Sequence, residues 1–318
     1  MTLAIVFPGQ GSQSVGMMRG FADRPVVERT FLEASSLVGV DYWKMVTEGP
    51  AEALNQTVNT QPLMLVAGVA CWRAWQEDGG PMPAWFAGHS LGEYTALVAA
   101  EAVLFEDALP LVRTRAQAMQ EAVPEGTGGI AAILGLDDSK LADVCRDAAQ
   151  GEVLEAANLN SPGQVVIAGH RAAVERGMAL ARERGAKRAV MLPMSAPSHC
   201  SLMRPAAERL RERLDQVAIA KPKVPVVHNR SVETSADPAV IRRMLVEQLD
   251  HPVRWIETVQ FLAAQGVRRI VECAPGKVLA GLAKRIAPDV ECVAVADSAA
   301  LAAALGSSLG DNAKDMKC

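Results

Sequence analysis

An α/β fold is predicted for this 318-residue chain, with a parallel sheet covered by helices on both faces and a smaller domain inserted into it. Three observations carry that expectation. Apolar, strand-like runs alternate with helical patterns through residues 1–124, the signature of a doubly covered parallel sheet. After Pro124 the rhythm tightens into a β-α-β-β-α-β order. Sheet-like segments separated by helical ones then resume in the last third of the chain.

Leu3-Ala4-Ile5-Val6-Phe7 is an all-apolar run of the kind buried in parallel sheets. It empties into a glycine loop, Pro8-Gly9-Gln10-Gly11-Ser12-Gln13. That loop does not match Gly-x-Gly-x-x-Gly, and no acidic residue follows at dinucleotide spacing, so it does not read as a cofactor loop. Helical periods cover 26–38, 51–56 and 61–77. A strand at 84–87 comes next, followed by helices at 94–100 and 105–123. Glu125-Gly126-Thr127-Gly128-Gly129 has linker composition. Beyond it lie strand 130–134, helix 138–149, strand 153–157, turn 158–163, strand 164–168, helix 171–184 and strand 187–192. Their order is ferredoxin-like, and the insert is placed at 125–195. The large domain is assigned 1–124 and 196–306. Its later strands are expected at 224–229, 267–272 and 291–295, with helices at 202–217, 238–249, 253–265 and 278–286. Residues 307–318 show no period and read as a frayed tail.

The most informative stretch is Gly88-His89-Ser90-Leu91-Gly92-Glu93-Tyr94. It is a Gly-x-Ser-x-Gly sequence between an apolar strand and a helix-forming run, which is the nucleophile-elbow context and marks the large domain as α/β-hydrolase-like. The glycines flank the serine because the tight turn has no room for side chains, and the helix start aims free N–H groups at an oxyanion on an attacked carbonyl.

Composition narrows the function classes. Apolar residues make up 50% and charged residues 21%, with a net charge of −4. No global basic field points to nucleic acid or an anionic membrane. The N-terminus lacks a basic n-region, and its apolar run is short for a signal peptide. The longest apolar run, 63–72, is about half a membrane span. Six scattered cysteines, with no Cys-x-x-Cys pair, fit reduced thiols. A soluble cytoplasmic protein is expected.

A serine nucleophile needs a base, and five histidines compete. His89 is adjacent to Ser90, where neighbouring side chains diverge. His170 falls in a turn of the insert; His228 ends a strand and His251 precedes a proline. His199, in Ser195-Ala196-Pro197-Ser198-His199-Cys200-Ser201, sits where the insert returns to the large domain, and a junction loop borders the cleft. It is the best of the five. Arg113 and Arg115, two positions apart on one helix, point to different sides, so at most one faces a pocket. The spacing alone favours two solvated residues on a surface helix, whereas an arginine in a pocket would suit bidentate pairing with a substrate carboxylate.

Taken in order, the motifs resemble the malonyl-CoA:acyl-carrier-protein transacylases of bacterial fatty-acid synthesis, from Leu3 to about Ala304. Matching segments are Phe7 to Gln13, Gln61-Pro62, Gly88 to Tyr94, and Arg115 ahead of Met119-Gln120. Further on come Asn160-Ser161-Pro162-Gly163-Gln164-Val165-Val166, Pro197-Ser198-His199-Cys200, Gln248 ahead of Pro252-Val253-Arg254-Trp255, and Pro275-Gly276-Lys277-Val278.

The resemblance implies that Ser90 is acylated and His199 is its base, oriented by a backbone carbonyl near Gln248 rather than by an acid. It implies an oxyanion hole made by the backbone N–H groups of Gln10 and Leu91. Arg115, not Arg113, would hold the malonyl carboxylate, with Gln248 and Asn160 also at the substrate. Malonyl-CoA is then the substrate, holo acyl carrier protein the partner, and no metal or permanently bound cofactor is implied. A monomer is expected. The carrier is acidic in this family, so Lys187, Arg188, Lys277, Lys284 and Arg285 are candidates for docking it. Two departures stand out: Glu101 replaces a usually small residue, and Gly128-Gly129-Ile130 differs from the usual small-residue-plus-methionine pattern.

Alternatives within the fold are a free-standing acyltransferase for a polyketide synthase or an editing acyl hydrolase, against which Arg115 argues. An ester-cleaving α/β-hydrolase predicts an acid and a late histidine, and neither is found. A non-catalytic partner subunit fits poorly with intact Ser90, His199 and Arg115.

Overall fold

The computed structural model describes residues 2–194 and 196–315, with side chains through Gly306. Ser195, the expected end of the insert, lies outside the described residues, as do Met1 and positions 316–318 of the expected tail. The chain opens with β1 (Leu3–Phe7), α1 (Pro25–Val38), α2 (Tyr42–Glu48), α3 (Ala51–Leu54) and α4 (Thr57–Glu77). Then follow β2 (Trp85–Gly88), α5 (Gly92–Ala99) and α6 (Phe105–Glu121). The middle segment is β3 (Gly128–Leu134), α7 (Asp138–Ala149), β4 (Leu154–Ser161), β5 (Gln164–His170), α8 (Arg171–Glu183) and β6 (Arg188–Met191). The last third holds α9 (Arg204–Leu214), β7 (Val226–Val227), α10 (Pro238–Glu247), α11 (Trp255–Ala264), β8 (Arg269–Cys273), α12 (Val278–Ile286), β9 (Glu291–Val295) and α13 (Ser298–Asp315).

Apolar residues on both faces of β1 place it at the centre of a five-stranded sheet, ordered β7-β2-β1-β8-β9, in which every pairing is parallel. Successive side chains point to opposite faces. Leu3, Ile5 and Phe7 pack with Leu63, Val66, Phe86 and Leu97 on one side. Ala4 and Val6 pack with Trp255, Val259 and Leu282 on the other. Burying a side chain such as Phe7 or Ile5 contributes roughly 1.5–3 kcal/mol. Because all five strands run the same way, the loops after β1, β2, β7 and β8 gather at one edge, the carboxyl edge where sites of such sheets form.

The middle segment forms its own antiparallel sheet, ordered β4-β5-β3-β6. One face packs on α7 and α8 through Ile133, Leu141, Val144, Leu154 and Ile167. The other face presents Ile130, Val166 and Ala168 to Cys200. Strand β4 also reaches the rest of the chain: Leu159 N–H donates to the Val253 carbonyl, and Val253 N–H to that of Ala157, each at 2.9 Å.

Four local expectations need correcting. The turn expected at 158–163 is strand as far as Ser161; Asn158-Leu159-Asn160 reads as loop chemistry, but its backbone pairs with β5 through irregular register. The strand expected at 224–229 shrinks to Val226–Val227, since Pro225 lacks a ladder N–H and the chain turns at His228. Helix α4 starts four residues before its apolar pattern, at Thr57. The backbone of α13 stays helical to Asp315, through much of the expected tail. An alanine-rich run with leucines at 301, 305 and 309 supplies the period that reading overlooked.

Among the described residues no helix is long and apolar enough to cross a membrane. The five cysteines described there are unpaired, and four of them are buried.

Candidate active site

Ser90 sits on the turn between β2 and α5 with φ +52°, a left-handed conformation that non-glycine residues rarely hold. Its neighbours explain how the turn closes. A Cβ on Gly88 would lie 1.9 Å from the Gly92 carbonyl carbon, and one on Gly92 would lie 2.0 Å from the Phe7 carbonyl oxygen. Only hydrogen fits at either position, so the turn packs directly on β1. Gly9 brings the preceding loop equally close: a Cβ there would meet the His89 carbonyl oxygen at 2.6 Å. Asn229, two residues beyond β7, pins the turn from the other side. Its Oδ1 accepts from Ser90 N–H and its Nδ2 donates to the Gly88 carbonyl, both at 2.6 Å.

The structure brings His199 to this serine. Ser90 Oγ and His199 Nε2 are 2.7 Å apart. His199 Nδ1 donates to the Gln248 main-chain carbonyl at 2.8 Å, which fixes the tautomer and leaves Nε2 bare to accept the serine proton. His199 also has positive φ, +63°, and its N–H donates to the Leu249 carbonyl at 3.0 Å. The 248–249 segment therefore grips both the ring and the backbone. No carboxylate contacts the ring among the described residues. Burial, and after it the Arg115 charge, push the imidazole pKa down to about 3, so the resting residue is a neutral base.

Arg115 projects from α6 into the same space and is 1% exposed. Its guanidinium donates to Gln61 Oε1 at 2.5 Å, to Gln248 Oε1 at 2.9 Å and to Ser90 Oγ at 3.1 Å. It lies 5.4 Å from the centre of the Tyr94 ring. Its Nε has no partner among the described residues, and no acid there forms an ion pair with it. Burial pulls its pKa downward. A buried cation held by neutral amides and a ring, beside the elbow serine, has the chemistry to pair with a carboxylate. Arg113, by contrast, is half-buried and donates to the Val38 carbonyl.

Gln10 and Leu91 line the cleft with Ser90, His199 and Arg115. Neither of their main-chain N–H groups meets a backbone acceptor in a loop or turn among the described residues. Main-chain N–H groups left open in the cleft that holds the Ser90 hydroxyl can receive an oxyanion. Asn160 lines the cleft from β4, its Oδ1 2.8 Å from His89 Nε2. The cavity has a volume of ≈ 160 Å³, about the share of five water molecules, which suits a small acyl group. His170, His228 and His251 make their contacts elsewhere. His170 Nδ1 accepts from Val153 N–H, His251 Nδ1 neighbours Asp250, and His228 pairs with Glu93.

Sequence reasoning missed Glu93, Asn229 and the side-chain roles of Gln61 and Gln248. Glu93 was visible as an acid inside an apolar helix start, a signal that its burial now explains. Asn229 and Gln248 carried no local signal, because their partners lie far away in the chain.

An acyl transferase domain family matches residues 4–315. The malonyl CoA-acyl carrier protein transacylase of Salmonella typhimurium is 55% identical over 303 residues, covering 95% of this chain and 98% of the relative. That of Bacillus subtilis is 44% identical over 297 residues, 93% of each chain. A Burkholderia pseudomallei acyl-carrier-protein S-malonyltransferase structure superposes with a TM-score of 0.95 at 56% identity, covering 96% of this chain and all of the other. A malonyl-transacylase solved with its type II PKS acyl-carrier protein superposes with a TM-score of 0.95 at 50% identity, with the same coverage. An elbow serine, a histidine on a carbonyl and a buried arginine thus sit in a chain that belongs to the malonyl CoA-acyl carrier protein transacylase family of acyltransferases.

Proposed function

We propose that the protein moves a malonyl group from malonyl-CoA to the phosphopantetheine thiol of acyl carrier protein through a malonyl-Ser90 intermediate, supplying fatty-acid synthesis. The observation that carries this reading is the buried Arg115 guanidinium, without an acid partner among the described residues and 3.1 Å from Ser90 Oγ. A malonyl thioester places its free carboxylate two carbons from the carbonyl that the serine must attack. One substrate then satisfies both groups.

In the first half-reaction His199 Nε2 takes the Ser90 proton as Oγ bonds to the thioester carbon. The N–H groups of Gln10 and Leu91 hold the oxyanion. Collapse breaks the C–S bond, and His199 returns its proton to the departing CoA sulfur. In the second half the carrier's thiol gives its proton to His199 and attacks the malonyl ester, and Ser90 leaves with that proton. The malonyl carboxylate also offsets the Arg115 charge that holds His199 down, so substrate binding strengthens the base that acts on it. Gln248 serves twice, through its carbonyl on His199 and its side chain on Arg115. Asn160, through His89, shapes the wall that faces the acyl-CoA.

The middle segment is read as a ferredoxin-like insert, 125–195, in an α/β-hydrolase-like large domain of 1–124 and 196–306. The cleft between them supports this division. A cytoplasmic monomer is proposed. Lys187, Arg188, Lys277, Lys284 and Arg285 are all exposed. Arg285 donates to Gln164 of the cleft lining, which favours this rim for an acidic carrier. A second reading, service to a polyketide synthase, is favoured by the likeness to the transacylase solved with a PKS carrier.

The test is malonyl transfer to purified holo carrier protein, read as CoA release. Continuous release, beyond the CoA freed on forming malonyl-Ser90, that requires the carrier and Ser90 supports the transferase. Steady release without a carrier makes the protein a hydrolase instead.

A further inference from the structure

Glu93 is an acid at zero exposure in the first turn of α5, three residues after Ser90, and no step of the transfer uses it. Its carboxylate gathers donors from separate elements. His228 Nδ1 lies 2.6 Å from Oε1, while Asn229 N–H donates to Oε2 at 3.0 Å and Gln248 Nε2 at 2.8 Å. The third contact bears on the chemistry. An amide side chain can be turned either way, and the contacts of Gln248 decide which. Its Nε2 end meets two acceptors, Glu93 Oε2 and the Ser90 carbonyl at 3.0 Å. Its Oε1 end is therefore forced toward the Arg115 guanidinium, at 2.9 Å. A flipped amide would set N–H against N–H there, in a dry site where an unmade hydrogen bond is expensive.

We propose that Glu93 is a positioning residue for the transfer: by fixing the orientation of the Gln248 amide it aims Arg115 and holds the segment whose carbonyl orients His199. The inference rests on the malonyl-transfer reading above. The carboxylate acts through Gln248 and touches neither Ser90 Oγ nor the acyl group. Replacing it with the isosteric amide leaves only one acceptor oxygen for donors on both sides. The amide nitrogen then faces either His228 or the Asn229 and Gln248 N–H groups, and the Gln248 amide loses the charged acceptor that fixed its orientation.

The test is a double-mutant cycle between Glu93→Gln and Gln248→Ala, read as the rate of malonyl-Ser90 formation and as KM for malonyl-CoA. Gln248→Ala keeps the main-chain carbonyl for His199 and cuts the side-chain path. Glu93→Gln alone is expected to slow acylation by roughly tenfold, the scale of one charge-assisted hydrogen bond. In the Gln248→Ala background the same change is expected to alter the rate by less than about twofold. An equal loss in both backgrounds makes Glu93 a structural residue only and overturns the proposal, as does no loss in either. If Glu93→Gln does not fold by circular dichroism, Glu93→Asp, one methylene short, is read in the same cycle by the same criterion. Absence of a malonyl-Ser90 adduct in the parent protein overturns the transfer reading itself, a result distinct from an additive cycle.

Discussion

Arg115 donates to the Ser90 hydroxyl across 3.1 Å, so the buried guanidinium and the elbow hydroxyl share one hydrogen bond. Under the proposed transfer, the side chain that reads the substrate's charge also touches the attacking atom. Removing the guanidinium by Arg115→Ala should lower malonyl transfer by about 2–4 kcal/mol of transition-state stabilisation, roughly thirty- to a thousand-fold. Acetyl transfer should hold steady or rise, because no carboxylate is then needed to satisfy a buried cation. Paired kcat/KM values for malonyl-CoA and acetyl-CoA check this, and an unchanged malonyl preference would refute the assignment.

The His199 ring donates to the Gln248 carbonyl, and no acid touches it among the described residues. Asp250, two residues along, pairs with His251 instead. Asp250→Asn should consequently leave kcat within about threefold, since surface or neighbouring polar changes away from the reacting groups have small effects. A loss of several orders of magnitude, the scale for deleting a triad acid, would show that an acid does steer the ring.

Acidity tests the environment of His199. Its pKa is about 3 in the folded state, against 6.5 unperturbed. The free enzyme's base thus stays neutral down to that value, and the acid limb of kcat/KM should lie well below that of an ordinary histidine. In Arg115→Ala the limb should move up, because the second cause of the depression is gone while burial remains. The stability sign follows from the same shift. Below pH 6.5 the unfolded chain takes up a proton that the folded imidazole refuses, so this group's contribution is intact above 6.5 and declines as pH falls toward 3. Urea titrations across that window, with His199→Gln as the control, should show a shallower decline in the variant.

Gly92 has no room for a methyl group, its added Cβ lying 2.0 Å from the Phe7 carbonyl oxygen. Gly92→Ala should destabilise the fold by about 3 kcal/mol, the upper end for overpacking a well-packed site, and should abolish Ser90 acylation by shifting the elbow off β1. Thermal melts and adduct formation read the two effects separately.

Much of this site was legible because its signals are local. The elbow is a contiguous pattern whose glycines answer to contacts within the turn and with β1. The parallel sheet was legible in all-apolar Leu3–Phe7, and the separate antiparallel sheet in the change of rhythm after Pro124. What stayed hidden depends on distance in the chain. Spacing alone left Arg113 and Arg115 open; only the fold turns Arg115 inward and sends Arg113 to the Val38 carbonyl. Asn229 clamps a turn 139 residues away, and Gln248 reaches Glu93 across 155. The strand through Asn158 and Asn160 was hidden by loop-like side chains, because its backbone pairing owes nothing to them.

The most direct test is intact-mass analysis of the protein mixed with malonyl-CoA or with acetyl-CoA, using Ser90→Ala as control. The account predicts a malonyl adduct that requires Ser90, exceeds any acetyl adduct, and disappears when holo carrier protein is added. An adduct that persists in Ser90→Ala, or acetyl labelling equal to malonyl labelling, would contradict it.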